Sequence, residues 1–482
     1  MDPFLFPAHD EFRNRTSDLA AMEDWWQGRD RNALALFGRR RVGKSWLFRE
    51  FAHGKPAIVL VSDRRARAPQ LSRFAAALAP HFGGVRPSIA DLPELFAALY
   101  TLAQERKTLV VIDEFPYLLP ARQREQHAVL TGIQAVMEER DSSRLKLVLC
   151  GSHIGQMTTL MSDRSPIRGR LTSLPVEPLR FADAQEFIAA PGAQERVERF
   201  AVAGGMSLYL DELGSGGSLR ERVCSRVLNS RGPLFNDPRE VLEEELRSPG
   251  VYFSILEELS AGERSSSALA AAIGVKTPDL SQYLKSLQDM SLVERVEPVT
   301  GRAELRFRIA DSFLRFWFRF VFPFQDDLKS GLRPASHYVN EIQPALAEHV
   351  APVFESLCRE WTRRQLGVSR VGSWWGNALD ALRRTGERQS EEIDVVGVRR
   401  SAITVIGECK WTSGRLTARV LDDLETYKLP ALRQAGVKLA AQPLTVLFAR
   451  SGFKANLVEL AAERDDLRLV ELDELVGDLL RE

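Results

Sequence analysis

One segment constrains this chain more than any other: Gly38-Arg-Arg-Arg-Val-Gly43-Lys44-Ser45. It matches the phosphate-binding pattern G-x-x-x-x-G-K-[ST] at every fixed position. The apolar run Ala33–Phe37 precedes it and Trp46–Phe51 follows it, which predicts a strand, a loop and a helix in that order. In such a loop, backbone N–H groups surround phosphates, Lys44 would neutralise the β- and γ-phosphate oxygens, and the Ser45 hydroxyl would hold Mg²⁺.

A second segment, LVVIDEF at 109–115, supplies the acidic half of this site. Its apolar residues predict a buried strand that ends at Asp113, which would position the hydration shell of Mg²⁺, and Glu114, which would polarise the attacking water as the catalytic base. A further strand ends just before Ser152, where a γ-phosphate sensor would lie. We therefore expect an ATP and Mg²⁺ site lined by Gly38, Arg39, Arg40, Arg41, Val42, Gly43, Lys44, Ser45, Trp46, Asp113 and Ser152, with Ser45 and Asp113 on the metal.

The order of apolar segments predicts an α/β chain of several domains. The predicted strands of a first, parallel sheet are Ala33–Phe37, Ala57–Val61, Leu109–Asp113, Leu145–Cys150 and Leu174–Val176. A unit from about residue 249 to 309 has the pattern of three helices closed by a hairpin, which is the winged helix-turn-helix plan. A long helix (Ile342–Arg364) and a hairpin (Ile393–Val398 and Ala402–Trp411) then open a separate α/β domain. The predicted boundaries are 1–182 for the nucleotide-binding core, 183–247 for a helical lid, 248–333 for the winged helix and docking segment, and 334–482 for the last domain.

The last domain carries a second charged group of residues inside apolar strands. Asp394 lies in one strand of the predicted hairpin, and Glu408 and Lys410 share a face of the other because residues i and i+2 of a strand point the same way. These are the working parts of the PD-(D/E)xK restriction-endonuclease-like fold: the carboxylates would hold Mg²⁺ or Mn²⁺, and Lys410 would assist the attacking water. Glu355, on the preceding helix, is a further candidate metal ligand. Alternatively Asp394 and Lys410 form only a hairpin ion pair, since a charge in an apolar strand is costly without a partner.

The predicted winged helix suggests how DNA could be contacted. The candidate contacts are Ser281, Gln282 and Lys285 on the solvent face of the recognition-like third helix, Lys276 before that helix, and Arg302, Arg306 and Arg308 on the wing. Docking of a protein partner is the alternative. The aromatic stripe Phe313, Phe316, Trp317 and Phe320 is more typical of a core seam than of a nucleic-acid platform.

Composition sets broad limits on function. Lys plus Arg equals Asp plus Glu at 65 each, so a uniformly polybasic or polyacidic protein is excluded. With 44% hydrophobic and 27% charged residues the chain is expected to be globular. It has no apolar run of membrane-spanning length, its first ten residues have no secretory-signal pattern, and its four cysteines are widely spaced. We therefore expect a cytoplasmic protein without membrane association.

Five segments together resemble the archaeal-type AAA+/STAND-like ATPases: GRRRVGKS, VVIDEF, LVLCGS, PIRGR (Pro166–Arg170) and AGGMSLYL (Ala203–Leu210). The resemblance implies a P-loop ATPase with a helical lid, a winged helix and a C-terminal PD-(D/E)xK domain. It also makes FRNRTSDL (Phe12–Leu19) an adenine-side element, and Arg170 a γ-phosphate arginine or one that acts in trans. Ser207 stands where relatives often carry proline.

The leading hypothesis is an ATPase that couples Mg-ATP to the placement of a winged helix and a nuclease domain on DNA. A rival hypothesis is a nucleotide-gated switch or scaffold that binds nucleic acid or a protein partner without cleavage. A third is a regulator that binds one promoter. A trans-acting arginine would require a homo-oligomer.

Overall fold

The computed structural model describes residues 12–28, 31–140, 144–246 and 248–481. The described residues form two compact units. The first extends to Pro178 and includes Met206–Leu208 and Asp289–Ser291, and the second contains the remainder. The opening residues, on which the expectation of no secretory signal rests, and the predicted boundary at 247 lie outside the described residues.

The first unit is built on a five-stranded parallel sheet in the order β2-β3-β4-β1-β5. Its strands are almost continuous apolar runs, as expected where both faces of a parallel sheet are covered. The strands are β1 (Ala33–Phe37), β2 (Ala57–Val61), β3 (Thr108–Asp113), β4 (Leu145–Gly151) and β5 (Leu171–Pro175). The helices are α1 (Thr16–Gln27), α2 (Lys44–Ala52), α3 (Arg67–Leu78), α4 (Leu92–Leu102), α5 (Gln123–Glu139) and α6 (Ile154–Leu160).

The register of this sheet brings the predicted nucleotide-site segments to one edge. Phe37, the last residue of β1, lies beside Gly151 of β4 and Pro175 of β5. Val61, the last residue of β2, lies beside Asp113 of β3. Because the strands are parallel, the loops after β1, β2, β3 and β4 all leave from this carboxyl edge, where α/β sheets place their ligands.

The second unit begins with a helical region and a small antiparallel sheet in the order β6-β8-β7. Along the chain, β6 lies between α12 and α13, and β7 and β8 follow α14. The winged-helix arrangement of these elements stays a prediction. The strands are β6 (Arg264–Ser265), β7 (Val293–Val296) and β8 (Arg306–Ile309). The helices are α7 (Phe181–Ala184), α8 (Ala193–Ala203), α9 (Ser207–Leu213), α10 (Leu219–Arg222), α11 (Asp237–Glu245), α12 (Gly250–Ser260), α13 (Ser266–Ile273), α14 (Thr277–Asp289), α15 (Ser312–Phe320), α16 (Gln325–Lys329) and α17 (Pro334–His337).

Helix α15 carries the aromatic stripe, and its position confirms the prediction of a core seam. Phe313, Phe316 and Trp317 are fully buried and Phe320 is 3% exposed. The indole of Trp317 donates a hydrogen bond to the carbonyl of Phe235 at 2.9 Å. Because the stripe has no exposed face, it is not available for stacking on bases.

The chain ends on a second five-stranded sheet, of mixed type, in the order β13-β12-β11-β10-β9. Strands β9, β10 and β11 are antiparallel, whereas β11, β12 and β13 are parallel. The strands are β9 (Arg370–Asn377), β10 (Ser390–Arg399), β11 (Ala402–Lys410), β12 (Leu439–Ala449) and β13 (Leu467–Glu471). The helices are α18 (Gln343–Leu366), α19 (Asp380–Thr385), α20 (Arg419–Asp423), α21 (Leu429–Gln434), α22 (Ala455–Ala462) and α23 (Leu472–Leu480).

Helix α18 packs on one face of this sheet. Its buried residues, among them Phe354 and Trp361, share a hydrophobic cluster with Val395 of β10 and Phe448 of β12. The α/β class with a parallel nucleotide-binding sheet and a separate C-terminal domain is thus confirmed.

None of the helices in the described part of the chain combines the length and apolar character that a membrane span requires.

Candidate functional site

The phosphate-binding loop connects β1 to α2 with a backbone that needs glycine at both ends. A Cβ on Gly38 would lie 2.3 Å from the carbonyl oxygen of Val176, and Gly43 has a φ of +100°. Lys44 is 7% exposed, and its ammonium donates to the carbonyls of Gly38 at 2.8 Å and Arg39 at 3.0 Å. The loop therefore folds around a buried cation, as a triphosphate-binding loop requires.

The two residues predicted to hold magnesium are in contact. The Ser45 hydroxyl donates to Asp113 Oδ2 at 3.3 Å. Burial raises the pKa of Asp113, and the Lys44 ammonium opposes this shift. Burial also lowers the pKa of Lys44, against the nearby Glu114 and Asp113 carboxylates. A hydroxyl and a carboxylate oxygen side by side are donors that Mg²⁺ prefers, so the residues present fit the predicted ion.

Glu114 is held by the residue predicted to sense the γ-phosphate. Its backbone is left-handed, with a φ of 53°. Its Oε2 accepts hydrogen bonds from the backbone N–H of Ser152 at 3.1 Å and from the Ser152 hydroxyl at 3.0 Å. Ser152 is 4% exposed. These bonds orient a carboxylate that the sequence predicts to be the base.

Two side chains converge on the carbonyl of Val42 in the phosphate-binding loop. The Ser207 hydroxyl donates to it at 3.0 Å, and the Arg15 guanidinium also donates to it. Arg15 is 6% exposed and donates to the Glu177 carbonyl as well, at 2.7 Å. Sequence reasoning identified the segment that contains Arg15 but not this residue, because no motif indicates that an arginine reaches a distant loop. Trp46, on α2, is 41% exposed.

Arg170 lies at the amino-terminal ends of the parallel strands, whereas the phosphate-binding loop lies at their carboxyl-terminal ends. It directly precedes β5, whose first residue, Leu171, pairs with Ala33 at the start of β1. The loop begins at Gly38, five residues after Ala33 and about 16 Å along the strand. Arg170 forms an ion pair with Glu138 at 3.2 Å. We therefore correct one of the two predicted roles: Arg170 does not reach a γ-phosphate bound to its own chain, and the trans-acting role stays a prediction.

The charged residues of the second predicted site converge on the hairpin of β10 and β11. The Lys410 ammonium lies 3.3 Å from Asp394 Oδ2 and 2.8 Å from Glu408 Oε2. Asp394 Oδ2 also accepts the backbone N–H of Cys409 at 2.8 Å. Glu408 is almost fully buried, with 2% of its side chain exposed. Two carboxylates thus share one cation, the Lys410 ammonium, in a water-poor setting.

Burial and mutual charge shift the titration of this group. Burial, and next the Asp394 charge, raise the pKa of Glu408, while Lys410 and Lys428 oppose the shift. Burial alone would lower the pKa of Lys410, but the Asp394 and Glu408 carboxylates outweigh it and raise that pKa. Burial, followed by Asp394, raises the pKa of Glu355 to about 7. Burial therefore disfavours the negative charges of these carboxylates, and the nearby Lys410 and Lys428 ammonium groups stabilise them.

Lys428 is a member of this site that the sequence analysis missed. Its ammonium lies 2.7 Å from Glu408 Oε1, and it is 14% exposed. It ends a π-helical turn, Leu424–Lys428, that follows α20. No fixed spacing relates it to the E-x-K pair, so only the packing of that turn against the sheet reveals it. Both oxygens of Glu408 are thus bound by lysine.

Glu355 lies on α18 beside this group but is bound elsewhere. It pairs with Arg359 at 3.6 Å, and Arg359 donates to the carbonyl oxygen of Asp394 at 2.9 Å. Within the described ranges, no three His, Cys, Asp or Glu side chains come together as a group that could hold a metal ion. The donor set fits a cation through Asp394 and Glu408, whereas the predicted participation of Glu355 as a third ligand has no support in this arrangement.

The predicted DNA-contact residues divide into two groups. Lys276, Ser281, Gln282, Lys285 and Arg302 are exposed. Arg306 pairs with Glu392 at 2.8 Å and stacks on the Trp375 ring, and Arg308 pairs with Glu294 at 2.5 Å and Glu263 at 3.4 Å. The expectation that Arg306 and Arg308 meet phosphates is therefore corrected, since carboxylates already compensate their charges.

Comparisons with known proteins agree with the first site. Residues 12–212 match a family described as an ATPase domain predominantly from Archaea. Residues 317–422 match a family described as archaeal and bacterial proteins of unknown function, DUF234. The protein MJECL04 of Methanocaldococcus jannaschii, itself uncharacterized, is 24% identical over 416 residues, which cover 83% of this chain and 87% of the relative.

A solved structure agrees in fold. The Walker-type ATPase PABY2304 of Pyrococcus abyssi superposes with a TM-score of 0.52 at 21% identity, over 65% of this chain and 97% of that one. Together with the phosphate-binding loop on its parallel sheet, the family match supports an ATPase domain in the first part of the chain. The chain is thus similar to the archaeal ATPase domain family in its first part and to the DUF234 family in its later part.

Proposed function

We propose that this ATPase requires magnesium, acts on DNA, and hydrolyses phosphodiester bonds at its C-terminal site. The observation that carries the C-terminal assignment is the pair of carboxylates, Asp394 and Glu408, that share the Lys410 ammonium within 3.3 Å. The arrangement joins two hard oxygen donors to a cationic general acid or charge stabiliser, which is what metal-dependent phosphodiester cleavage needs.

In the ATPase domain, each proposed role follows from a contact. Ser45 and Asp113 would hold Mg²⁺, which supplies charge neutralisation on the phosphates when bound. Lys44 would bind the β- and γ-phosphate oxygens. Glu114, oriented by Ser152, would accept a proton from the attacking water. We expect Lys44→Ala to lose nucleotide binding and Glu114→Gln to bind ATP but not hydrolyse it; hydrolysis by Glu114→Gln at the wild-type rate would refute the base assignment.

At the C-terminal site, a divalent ion would bind Asp394 and Glu408 and supply a nucleophilic water. Lys410, held between the two carboxylates, would then stabilise the charge that develops on the phosphorane. Lys428 would keep the buried Glu408 compensated throughout. For DNA recognition, we propose that Gln282 and Lys285 on the exposed face of α14, together with Lys276 just before this helix, meet the phosphate backbone.

The decisive experiment measures cleavage and ATP hydrolysis in parallel. Labelled duplex, single-stranded and branched DNA would be incubated with the protein and Mg²⁺ or Mn²⁺, with and without ATP. We expect Asp394→Asn and Lys410→Met to stop cleavage but retain ATP hydrolysis. Lys438→Met, which replaces an exposed lysine immediately before β12, is the matched control and should cleave normally. Cleavage that persists in both site variants would exclude this site as its source.

A second candidate function is a nucleotide-gated switch or scaffold without cleavage. It is favoured by the two lysines that occupy both Glu408 oxygens and by the lack of a three-ligand group among the described residues. A site so compensated could bind a nucleic acid or a protein partner and leave it intact. Slow ATP turnover, nucleotide-dependent assembly and DNA binding without divalent-dependent cleavage would favour this function.

The trans-acting role proposed for Arg170 implies a homo-oligomer. If one subunit supplies Arg170 to the nucleotide of the next, mixing Arg170→Ala with Lys44→Ala protein should restore part of the ATPase activity that each variant lacks alone. Arg168→Ala serves as the control, because this arginine lies in the same 3₁₀ turn. Mixtures no more active than the separate variants would exclude the trans role.

A further inference from the structure

A cluster of side chains surrounds Tyr117 at the carboxyl edge of the first sheet. Tyr117 lies in the 3₁₀ turn Phe115–Leu118, directly after the proposed base Glu114. Its hydroxyl accepts a hydrogen bond from Arg40 Nη2 at 3.1 Å. The guanidinium of Arg64 lies 5.8 Å from its ring centroid, and the ring of His153 meets it edge-on at 6.0 Å. Four loops of the carboxyl edge therefore meet at this tyrosine.

The cluster lies on the side of the nucleotide site where the γ-phosphate would react. Arg40 belongs to the phosphate-binding loop, and Tyr117 donates its backbone N–H to the Glu114 carbonyl at 3.0 Å. His153 follows Ser152, which holds the Glu114 carboxylate. Burial lowers the pKa of His153, Arg40, Arg64 and Lys44 lower it further, and Glu114 opposes them. The Arg40 charge is thus close enough to the loop after β4 to act on a side chain there.

The chemistry of ATP hydrolysis calls for a positive charge at this place. Water attacks the γ-phosphorus and gives its proton to Glu114, while the bond to the β–γ bridging oxygen breaks, so that ADP and phosphate form. Negative charge grows on the bridging and γ-phosphate oxygens in the transition state, and an arginine there increases the rate strongly. Arg170, at the opposite edge, cannot supply this charge within its own chain.

We propose that Arg40 is the intramolecular catalytic arginine of this ATPase, and that Tyr117 is the positioning residue that holds its guanidinium on the γ-phosphate side. The Tyr117 hydroxyl binds one side of the Arg40 guanidinium and restricts the conformations of this side chain before the reaction. Less conformational entropy is then lost when the arginine contacts the transition state. The guanidinium of Arg64 flanks the Tyr117 ring. This inference rests on the proposed nucleotide site.

The test compares kcat, KM and the binding of a transition-state mimic in three variants of the full chain. We expect Arg40→Ala to lower kcat by about 100-fold or more and to change KM little, as loss of a transition-state charge does. It should weaken binding of MgADP with aluminium fluoride by about the same factor, while MgADP alone binds normally. Tyr117→Phe, which removes only the hydroxyl, should lower kcat about tenfold. Arg40→Ala combined with Tyr117→Phe should be no slower than Arg40→Ala.

The controls separate failure of this inference from failure of the nucleotide site. Arg49→Ala, an exposed arginine on α2, should hydrolyse ATP normally. If Lys44→Ala retains nucleotide binding, the proposed site itself is wrong. If Lys44→Ala loses binding but Arg40→Ala keeps the wild-type kcat, only the catalytic arginine is refuted. A loss caused by Arg64→Ala and not by Arg40→Ala, or multiplicative effects of Arg40→Ala and Tyr117→Phe, would also overturn the assignment.

Discussion

Lys428→Met tests whether the buried Glu408 depends on a second lysine. The Lys428 ammonium lies 2.7 Å from Glu408 Oε1, and the two side chains are 14% and 2% exposed. With an effective dielectric constant of about 20, the gross attraction at this distance is about 6 kcal/mol. Desolvation of both groups offsets most of it. The net contribution expected for such a charge-assisted hydrogen bond is about 2 kcal/mol.

The remaining contacts of Glu408 limit this loss. Lys410 still lies 2.8 Å from Oε2 in the Lys428→Met variant, so the carboxylate keeps one cation. Methionine fills much of the volume of the lysine stem, which restricts the change to the charge. We therefore expect a destabilisation of about 2 kcal/mol, below the roughly 3–5 kcal/mol that follows removal of the sole partner of a buried charge.

The assay must report on β11, because a chain with two units need not unfold in one transition. Hydrogen–deuterium exchange of peptides that span Ala402–Lys410 gives the free energy of opening for that strand. A double-mutant cycle of Lys428→Met with Glu408→Gln isolates the pair, and we expect a coupling energy of about 2 kcal/mol. Lys438→Met, the exposed control, should shift the opening free energy by less than about 0.5 kcal/mol. A coupling energy below about 0.5 kcal/mol would refute the reasoning, since the Lys428 ammonium would then not stabilise Glu408.

Three further predictions concern other contacts. Gly43→Ala should weaken nucleotide binding in titrations and lower thermal stability by about 1–3 kcal/mol, because φ is +100° and the new Cβ would lie 2.9 Å from Ser207 Oγ. Ser152→Ala should slow hydrolysis about tenfold without weakening ATP binding, as Glu114 loses one of two donors. Burial holds the pKa of His349 well below its usual range. Below about pH 6.5 the imidazole takes up a proton in the unfolded chain but not in the folded one. The free energy of unfolding therefore falls by up to about 1.4 kcal/mol per pH unit as the pH drops, and is unaffected by His349 above this range. Urea titrations at pH 5–7 should show a shallower pH dependence for His349→Leu.

Local sequence patterns predicted the first sheet well because its strands are short apolar runs between loops. Strands β1 and β2 have the bounds that the sequence predicted, β3 and β4 differ by one residue, and β5 begins three residues before its predicted start. Strand β9 was missed. It reads RVGSWWGN, with two glycines and no alternation of apolar and polar residues, yet Trp374 and Trp375 are 2% and 5% exposed. Its pairing with β10 and the packing of its tryptophans, which are tertiary interactions, determine its structure.

The candidate sites show the same difference between what local sequence patterns predict and what tertiary packing determines. Residues that follow a strand or share its face were brought together as expected: Ser45 with Asp113, and Asp394 with Glu408 and Lys410. Residues that reach a site from a separate element were not foreseen, since no spacing relates them to the motif. Arg15 and Lys428 belong to this class. Arg15 directly precedes α1 and Lys428 ends a π-helical turn, and each binds a group on a distant loop or strand.

Arg170 shows why a motif alone does not assign a residue to a site. All strands of a parallel sheet begin at one side of the sheet and end at the opposite side. A residue before a strand therefore lies at the amino-terminal side, and a residue after it lies at the carboxyl-terminal side. Arg170 precedes β5 and the phosphate-binding loop follows β1, so adjacent and parallel strands separate them by the length of a strand. Arg40 and Tyr117 follow β1 and β3, and this order alone brings both to the carboxyl edge. Register therefore decides which arginine can serve the nucleotide of its own chain, and it favours Arg40.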